Sequence, residues 1–341
     1  MNITFISHAA CLRVMKEAIA LKNLGHKVYL ITNNNEITRA IFDLCIVYVN
    51  INQLELAIKF IAPHTDIFHI HNEPNYPATI VREIVPNAKI VLDFHDSNYW
   101  RIKPTENMAK YLWQDEDIAV SCSDGLVFPS NAGLEDFKTR YGNMPMIFLP
   151  SAFNRNQLRY KPTSCWGGIV SQGGHSTPKD MECDNYRDYT KIYRQMVDMG
   201  IVVYAYSISF EDQDSEIYKH YANLGVHLLS FSYESMLNIL SGHFWNMVGN
   251  IGGHYIWNFS LPNKFYDACA AGLPSVNFSN PEVAKIIDQY EIGINVKTVD
   301  ELMQRWDEYR EKRKNLMLCR NELSMENHIS KLVDLYKELC E

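Results

Sequence analysis

Two side chains of opposite charge lie three residues apart in the segment NKFYDACAAGLPSVNF (263–278). Pro262 directly before it is typical of the first turn of a helix, so Lys264 and Asp267 are expected on one face of that helix. A lysine there could contact a diphosphate oxygen, and an aspartate could accept hydrogen bonds from a ribose diol. The alternative is a surface ion pair between the two, which contributes about 0.2–0.5 kcal/mol.

A glycine pair, Gly173 and Gly174, follows a predicted strand in SQGGHS (171–176). Glycines let backbone amides approach a ligand closely, and the N-termini of helices after such loops favour phosphate. An ordinary turn is the alternative. The ends of the other predicted strands in this half are rich in hydroxyl, amide and aromatic side chains. Together with one nearby cation, the candidates for binding a nucleotide sugar are His175, Arg187, Tyr206, Phe231, Ser232, Tyr233, Ser260 and Asn263.

Histidines and carboxylates follow two apolar segments of the first half, DIFHIHNEPNY (66–76) and VLDFHDSNYW (91–100). Because ligands of parallel sheets bind where strands end, His95 and Asp96 are candidate catalytic residues. His71, Glu73 and Tyr99 are candidates for the acceptor side, Tyr99 because sugar rings stack on flat apolar faces. His69 lies inside its predicted strand, so we interpret it as structural.

The positions of these candidate residues follow from a regular pattern in the sequence, in which short apolar runs rich in β-branched residues alternate with amphipathic segments. Such alternation predicts parallel strands joined by crossover helices. Seven strands are predicted before a polar segment at 149–164, which we interpret as an interdomain linker, and six after it. The fold class is therefore α/β, with two doubly wound, Rossmann-like sheets whose strand ends are expected to face each other across a cleft.

Composition narrows the function further. The chain has 341 residues, 47% of them hydrophobic, and a formal net charge of −8, which argues against nucleic-acid binding. The basic run at 310–320 is expected on a solvated helix face, with a weak peripheral membrane contact as the alternative. The eight scattered cysteines suit reduced thiols, and the sequence shows neither a signal peptide nor a long apolar stretch. We therefore expect a cytoplasmic protein.

The segment SLPNKFYDACAAGLPSVNF, followed by PEVAKIIDQYEIGINVKTVDEL, resembles the nucleotide-sugar signature of GT-B fold glycosyltransferases related to glycosyltransferase family 4. VHLLSFSYESMLNIL and LKNLGHKVYLIT are similar to further family segments, so the resemblance covers nearly the whole chain. It implies an N-terminal acceptor-side domain (1–155), a nucleotide-sugar domain (156–318) and a C-terminal helix (319–341) that returns to the first domain. No particular member of the family is identified.

The resemblance also implies roles for single residues. Asp267 stands where the family usually has a ribose-binding glutamate, and Lys264 matches the lysine ahead of it. His95 matches a histidine that meets the transferred sugar. His8 and Arg13 fall in or beside a loop used around acceptor and phosphate. A second family glutamate is replaced by Phe259, a departure that concerns the sugar contacts.

The expected function is transfer of a hexose unit from a nucleoside-diphosphate sugar, by default a UDP-sugar, to an acceptor hydroxyl in glycan biosynthesis. The resemblance implies retention of the anomeric configuration, no metal and no cofactor; the sequence has no D-x-D motif at a strand end, where a metal-dependent enzyme would hold its ion. The acceptor is a glycan, a lipid-linked saccharide or a small molecule, and the oligomeric state stays open. The alternatives are a nucleotide-sugar epimerase and a catalytically silent nucleotide-sugar-binding module.

Overall fold

A computed structural model describes residues 1–33, 39–71, 74–101, 109–142, 144–159, 166–178 and 186–341. The chain divides into two compact units. The N-terminal unit consists of Met1–Asn154 and Met325–Glu341, and the second unit consists of Arg155–Ser324. The polypeptide therefore passes from one unit to the other twice.

The N-terminal unit contains a seven-stranded sheet in the order β3-β2-β1-β4-β5-β6-β7, in which every neighbouring pair is parallel. The strands are β1 (Asn2–Ser7), β2 (Lys27–Thr32), β3 (Leu44–Val47), β4 (Ile67–His71), β5 (Ile90–Asp93), β6 (Gly125–Phe128) and β7 (Met146–Phe148). The helices are α1 (Leu12–Asn23), α2 (Ile51–Ile61), α3 (Pro77–Ile84), α4 (Asn98–Arg101), α5 (Ala109–Ser121) and α6 (Asn131–Tyr141). The order reverses beside β1, so the carboxyl ends of β1 and β4 lie at the switch point where α/β sheets bind ligands.

The second unit contains a six-stranded parallel sheet in the order β10-β9-β8-β11-β12-β13. Its strands are β8 (Ile169–Gln172), β9 (Val203–Tyr206), β10 (His227–Leu229), β11 (Trp245–Val248), β12 (Ser275–Asn277) and β13 (Gly293–Asn295). Its helices are α7 (Thr190–Asp198), α8 (Glu216–Ala222), α9 (Tyr233–Leu240), α10 (Asn263–Ala271), α11 (Pro281–Tyr290), α12 (Val299–Gln304) and α13 (Tyr309–Cys319). Here the order reverses between β8 and β11.

Each strand overlaps a segment that the sequence predicts as a strand, although β3 begins one residue earlier than predicted, and the α/β class is confirmed. The inner strands of both sheets are largely buried, which explains why they read as short apolar runs rather than alternating ones. The strands β3, β7 and β10, which lie at sheet edges, are only partly buried. The helix α10 ends at its C-cap Gly272, whose φ of 70° is left-handed. A Cβ at Gly272 would lie 2.8 Å from the sulfur of Met317, so this turn also has no room for a side chain.

The last helix, α14 (Ile329–Cys340), completes the core of the N-terminal unit. Leu335 and Leu339 pack on Gly125 of β6, where an added Cβ would lie 3.2 Å from a methyl carbon of each. The segment belonging to this unit begins at Met325, whose amide donates to the carbonyl of Phe153 at 2.8 Å. It begins later than the predicted boundary at 319 because residues 320–323 are held in the second unit.

The predicted linker at 149–164 is only partly solvated where the structure describes it. Leu149, Ala152 and Phe153 are fully buried. The side-chain amide of Asn154 donates to the carbonyl of Lys16 at 2.9 Å. The first part of the segment is therefore packed into the N-terminal unit, whereas residues 155 and 156 are exposed, and residues 160–164 lie outside the described part.

Two expectations from composition can be compared with the structure. Six of the eight cysteines lie in the described part, and none of these six forms a disulfide. Across the described ranges, every helix is either too short or too polar to cross a lipid bilayer.

We expect Leu335→Ala to lower the free energy of unfolding by about 2–5 kcal/mol, because the truncation leaves a cavity beside Gly125. Leu335 is only 2% exposed. Urea denaturation of purified protein measures the change. The matched control is Leu56→Ala on α2 of the same unit, where 64% exposure predicts a change within about 0.5 kcal/mol. Equal effects of the two changes would contradict the packing of α14.

Candidate functional site

The N-terminal unit has a buried ion pair beneath the ends of its central strands. The Arg13 guanidinium donates from Nε to Oδ2 of Asp93 at 2.8 Å and from Nη2 to Oδ1 at 2.9 Å. Its Nη1 donates to the carbonyl of Leu149 at 2.9 Å. Both charged side chains are almost completely buried. The bidentate ion pair therefore links the first turn of α1 to β5. The bond to Leu149 links the same turn to the residue that follows β7.

A chain of histidines leads from Asp93 toward the surface. His71 Nδ1 lies 3.3 Å from Asp93 Oδ2 and 3.1 Å from Nε2 of His95. His95 Nδ1 lies 3.6 Å from the sulfur of Cys11. On the other side, His69 Nδ1 lies 2.5 Å from the Tyr336 hydroxyl of α14. Of the three histidines only His95 is partly exposed, with 23% of its side chain accessible.

The pKa shifts define the protonation of this chain. Burial would raise the pKa of Asp93, but the charge of Arg13 and the histidine hydrogen bonds hold that pKa well below its usual range. Burial lowers the pKa of both His69 and His71, so both rings are neutral at pH 7. His95 differs: burial opposes its charge, yet the neighbouring Cys11 raises its pKa. The positive charge of the histidine chain therefore belongs on His95.

Among the described residues, one group of side chains is close enough to share a metal ion: Glu17, His69, His71 and Asp93, whose ligand atoms lie within 4.8 Å of one another. Arg13 already binds both oxygens of Asp93 and lies 3.1 Å from Oε1 of Glu17. Burial also raises the pKa of Glu17 well above its usual range, which favours a neutral carboxyl. A divalent cation would stand against a guanidinium here, so these residues do not fit a metal site.

The structure corrects two of the acceptor-side predictions. Arg13 is 2% exposed, and its guanidinium is bonded to Asp93 and Leu149 rather than directed at a loop. His71 is 1% exposed and serves inside the histidine chain. Neither the family resemblance nor the strand-end position indicated this burial, which the bidentate Asp93 partner permits for the charge of Arg13.

The other predicted residues of this unit occupy varied positions. His8 is exposed after β1, with Asn33 Nδ2 2.8 Å from its Nδ1. Asp96 is half-buried in the turn after β5. Tyr99 stacks on Trp113, with centroids 4.6 Å apart, and its hydroxyl donates to a carboxylate, so it packs within the unit. Glu73 lies outside the described residues.

In the second unit, two cations lie over the glycine loop after β8. Gly173 has a φ of 97°, and a Cβ there would lie 4.0 Å from Cε of Lys264. A Cβ at Gly174 would lie 3.1 Å from Nη1 of Arg187. Lys264 donates from Nζ to the hydroxyl of Tyr189 at 3.1 Å. The structure thus brings together four residues that the sequence analysis names: Gly173, Gly174, Arg187 and Lys264. It adds Tyr189, which the sequence analysis missed because this residue lies at no strand end.

The N-terminus of α10 adjoins this loop through Lys264. Pro262 is its N-cap and supplies no side-chain hydrogen bond, and Asn263 is exposed at the first position. An N-terminus without a side-chain cap presents amide donors and a partial positive charge. Nearby, Ser260 accepts from the Asn280 amide through its carbonyl at 2.8 Å and its hydroxyl at 3.2 Å. The two cations, the amide donors and the helix dipole together concentrate positive charge at this loop.

Lys264 and Asp267 do not share the same partner. The Asp267 carboxylate accepts from the hydroxyl of Tyr233 at 2.6 Å, and that hydroxyl accepts in turn from Gln157 Nε2 at 3.3 Å. Asp267 is 3% exposed. Phe231 packs edge-on against Tyr206, and Ser232 caps α9. The Asp267 carboxylate is therefore held by Tyr233 of α9, whereas Lys264 is held by Tyr189.

Two predicted ligand contacts are structural in this unit. His175 is 7% exposed, with Nδ1 2.9 Å from the carbonyl of Gly173 and Nε2 2.8 Å from the hydroxyl of Tyr193. It fixes the glycine loop and has no ring nitrogen left for a ligand. Tyr206 is 2% exposed, and its hydroxyl lies 2.6 Å from Nε2 of His243. Strand-end position alone did not reveal that both side chains point into the core.

A cavity of about 350 Å³ opens near the same strand ends, between the loops after β8 and β11. Its lining is Pro178, Tyr186, Asp188, Asn250, Ile251, Gly253, His254 and Trp257. Tyr186 and Trp257 meet edge to face with centroids 5.7 Å apart. None of these lining residues is among the candidates that the sequence analysis names.

We expect Asp93→Ala to lower the free energy of unfolding by about 3–5 kcal/mol, because it leaves the Arg13 charge buried without its partner. Urea denaturation provides the measurement. The control is Glu135→Ala, which breaks an exposed pair with Lys138 and should cost less than about 1 kcal/mol. A small loss for Asp93→Ala would show that the Arg13 charge is compensated elsewhere.

His175 predicts a pH dependence of stability. Burial, followed by the charges of Lys264 and Arg187, lowers its pKa to about 3, whereas an unfolded histidine titrates near about 6.5. The unfolded chain therefore binds the proton first, so the stability from neutral His175 is complete above about pH 6.5 and falls progressively toward pH 3. Between pH 7 and 5, His175→Gln should lose about 2 kcal/mol less unfolding free energy than the wild type. Parallel losses in both proteins would contradict the assignment.

No protein-family model matches this chain, and the search of curated proteins found no match. Solved structures do match over almost the whole length. The HepE protein of Anabaena, solved in complex with UDP, is 10% identical with a TM-score of 0.72, covering 99% of this chain and 100% of HepE. Sucrose-phosphate synthase of Thermosynechococcus elongatus is 13% identical with the same TM-score, covering 99% of both chains. The pneumococcal O-GlcNAc transferase GtfA, in complex with UDP and GlcNAc, is 11% identical with a TM-score of 0.65, covering 99% of both chains.

At sequence identities this low, the structural matches establish a shared fold. They confirm the predicted resemblance at the level of architecture: the chain has the GT-B fold of these glycosyltransferases.

Proposed function

We propose that this protein is a glycosyltransferase that moves a hexose unit from a nucleoside-diphosphate sugar to an acceptor hydroxyl. The observation that carries the proposal is the anion site of the second unit. There Lys264 and Arg187 lie over the Gly173–Gly174 loop, beside the N-terminus of α10. HepE and GtfA, which share the fold, were each solved with UDP bound. A UDP-sugar is therefore the first donor to test.

The reaction separates a diphosphate from the anomeric carbon of the sugar. Positive charge develops on the sugar, and negative charge develops on the departing oxygens. Donors that are already in place stabilise such charge without reorganisation. Lys264 suits this role because its half-buried side chain lies at the glycine loop and its ammonium donates to the Tyr189 hydroxyl. The loop amides and the α10 dipole act on the same charge.

We assign the ribose to Asp267, following the family position of the usual glutamate. In the structure its carboxylate is held by the Tyr233 hydroxyl at 2.6 Å. A ribose diol can donate to the same carboxylate, since a carboxylate accepts several hydrogen bonds at once. Tyr233 then fixes the orientation of the carboxylate, and Phe231 supplies an apolar face for the base.

We assign contact with the reacting sugar to His95, the partly exposed end of the histidine chain. The proposal includes retention at the anomeric carbon, which requires no attacking carboxylate, and a reaction without metal. It also includes a cytoplasmic location, which cell fractionation would test. The acceptor is a glycan, a lipid-linked saccharide or a small metabolite.

One observation favours a second candidate, a nucleotide-sugar-binding module without turnover. Phe259 replaces a glutamate of the family and packs edge-on against Tyr255, with centroids 5.1 Å apart. An aromatic ring cannot accept the sugar hydroxyl hydrogen bonds that a carboxylate would. Donor binding with neither hydrolysis nor transfer would support this candidate.

We expect UDP or GDP to raise the melting temperature of the wild type, because a ligand that binds only the folded state stabilises it.

Lys264→Ala should reduce donor turnover, measured as nucleoside diphosphate released, by about 10²–10³-fold, the effect of removing one preorganised charge-stabilising donor.

The matched control is Lys285→Ala, which removes an exposed lysine on α11 that pairs with Glu282. It should bind and turn over donor like the wild type. Full activity of Lys264→Ala would refute the leaving-group assignment. No thermal shift with any of a panel of nucleotides and nucleotide sugars would refute donor binding itself.

A further inference from the structure

A thiol and an imidazole meet at the end of β1 in the N-terminal unit. Cys11 is the N-cap residue of α1, and its sulfur lies 3.6 Å from Nδ1 of His95. Cys11 caps the helix without a side-chain hydrogen bond to it. Cys11 is half-buried, and 23% of the His95 side chain is accessible.

The geometry points to a thiolate–imidazolium pair: we propose that Cys11 is a nucleophilic thiol, activated by His95, that low-molecular-weight disulfides modify by thiol–disulfide exchange. This inference does not depend on glycosyl transfer. It concerns a covalent modification that neither the fold nor the matched structures assign.

The contact between Cys11 and His95 allows the proton to reside on the imidazole. A His95 ring protonated at Nδ1 donates to the Cys11 sulfur, 3.6 Å away. His71, whose burial favours a neutral ring, lies between His95 and Asp93, with its Nδ1 3.1 Å from Nε2 of His95 and 3.3 Å from Oδ2 of Asp93. The charge of Asp93 is balanced by Arg13, so the imidazolium of His95 is matched by the thiolate.

The surrounding groups act on the thiol in a definite direction. Burial would raise the pKa of Cys11, but the charge of His95 and its hydrogen bond outweigh burial and lower that pKa to about 7. The amides of Val14 and Arg13 at the start of α1 act in the same direction. Facing groups from β4 and β5, namely His71 and Asp93, are neutral and paired respectively. A helix N-terminus beside a cationic histidine is a setting in which thiols become reactive.

Thiol–disulfide exchange at Cys11 needs no reactant other than the small disulfide itself. The Cys11 thiolate attacks one sulfur of a small disulfide, a new sulfur–sulfur bond forms, and the original one breaks. The released half leaves as a thiolate and accepts a proton from His95, which no longer faces a negatively charged sulfur. Cys11 is oxidised and the released half is reduced. The attached group lies directly against His95.

The test uses the full chain and the pH dependence of alkylation by iodoacetamide, followed by mass spectrometry of each cysteine-containing peptide. The midpoint for Cys11 is expected near pH 7, as its lowered pKa requires. Cys340 is the internal control: it is exposed, and burial raises its pKa above the ordinary value of 9.0. Comparing midpoints rather than rates removes the difference in exposure.

His95→Gln should move the Cys11 midpoint upward by about one pH unit or more, because the positive partner is lost. Oxidised glutathione should add one glutathione to Cys11 at pH 7, reversibly with dithiothreitol, and should not modify Cys340. The proposal fails if Cys11 and Cys340 share one midpoint in the wild type, a comparison that needs no variant to fold. It also fails if folded His95→Gln keeps the wild-type midpoint.

Discussion

Both units obey one constraint: every strand runs parallel to its neighbours. Parallel strands cannot be joined by tight turns, so each needs a crossover helix, and all strand ends of one kind gather at one edge of the sheet. In the second unit this places the glycine loop after β8 next to the loop that enters α10, although Gly173 and Lys264 are far apart in sequence. The loops that carry the proposed anion site therefore meet because the topology collects them.

The same constraint explains why the N-terminal unit buries charge. The registers of β4 and β5 place His71 directly opposite Asp93. The first turn of α1 lies over this edge and brings Arg13 onto Asp93. Each charged group is tolerable only because the next one neutralises or bonds it, so the cluster behaves as a unit rather than as independent residues. The protonation state of each group in the cluster therefore depends on the charge of the group that it contacts.

The elements of the fold were predictable from sequence because short β-branched runs and amphipathic helices are local signals. Lys264 and the glycine pair were also predictable, since backbone access and charge at a strand end are properties of single segments. Burial of His175 and Tyr206 was not, because it depends on partners such as Tyr193 and His243 from other elements.

The histidine chain shows the same limit more clearly. The sequence places His71 and His95 at strand ends, but which rings meet is decided by strand register and by the position of α1. Cys11 carried no signal of its own, because a thiol gains its character only from a neighbour distant in sequence. Tyr336, which reaches His69 from α14, could not have been inferred from any local pattern.

The division of the chain has a consequence for its synthesis on the ribosome. The second unit is one continuous stretch, Arg155–Ser324, and can complete its core while the chain is still being extended. The N-terminal unit emerges first, yet it lacks Leu335, Tyr336 and the rest of α14 until translation reaches them. The half made first is therefore finished last. Until α14 is made, the sheet beside the buried Arg13–Asp93 pair, with His69 and His71, lacks its final covering helix.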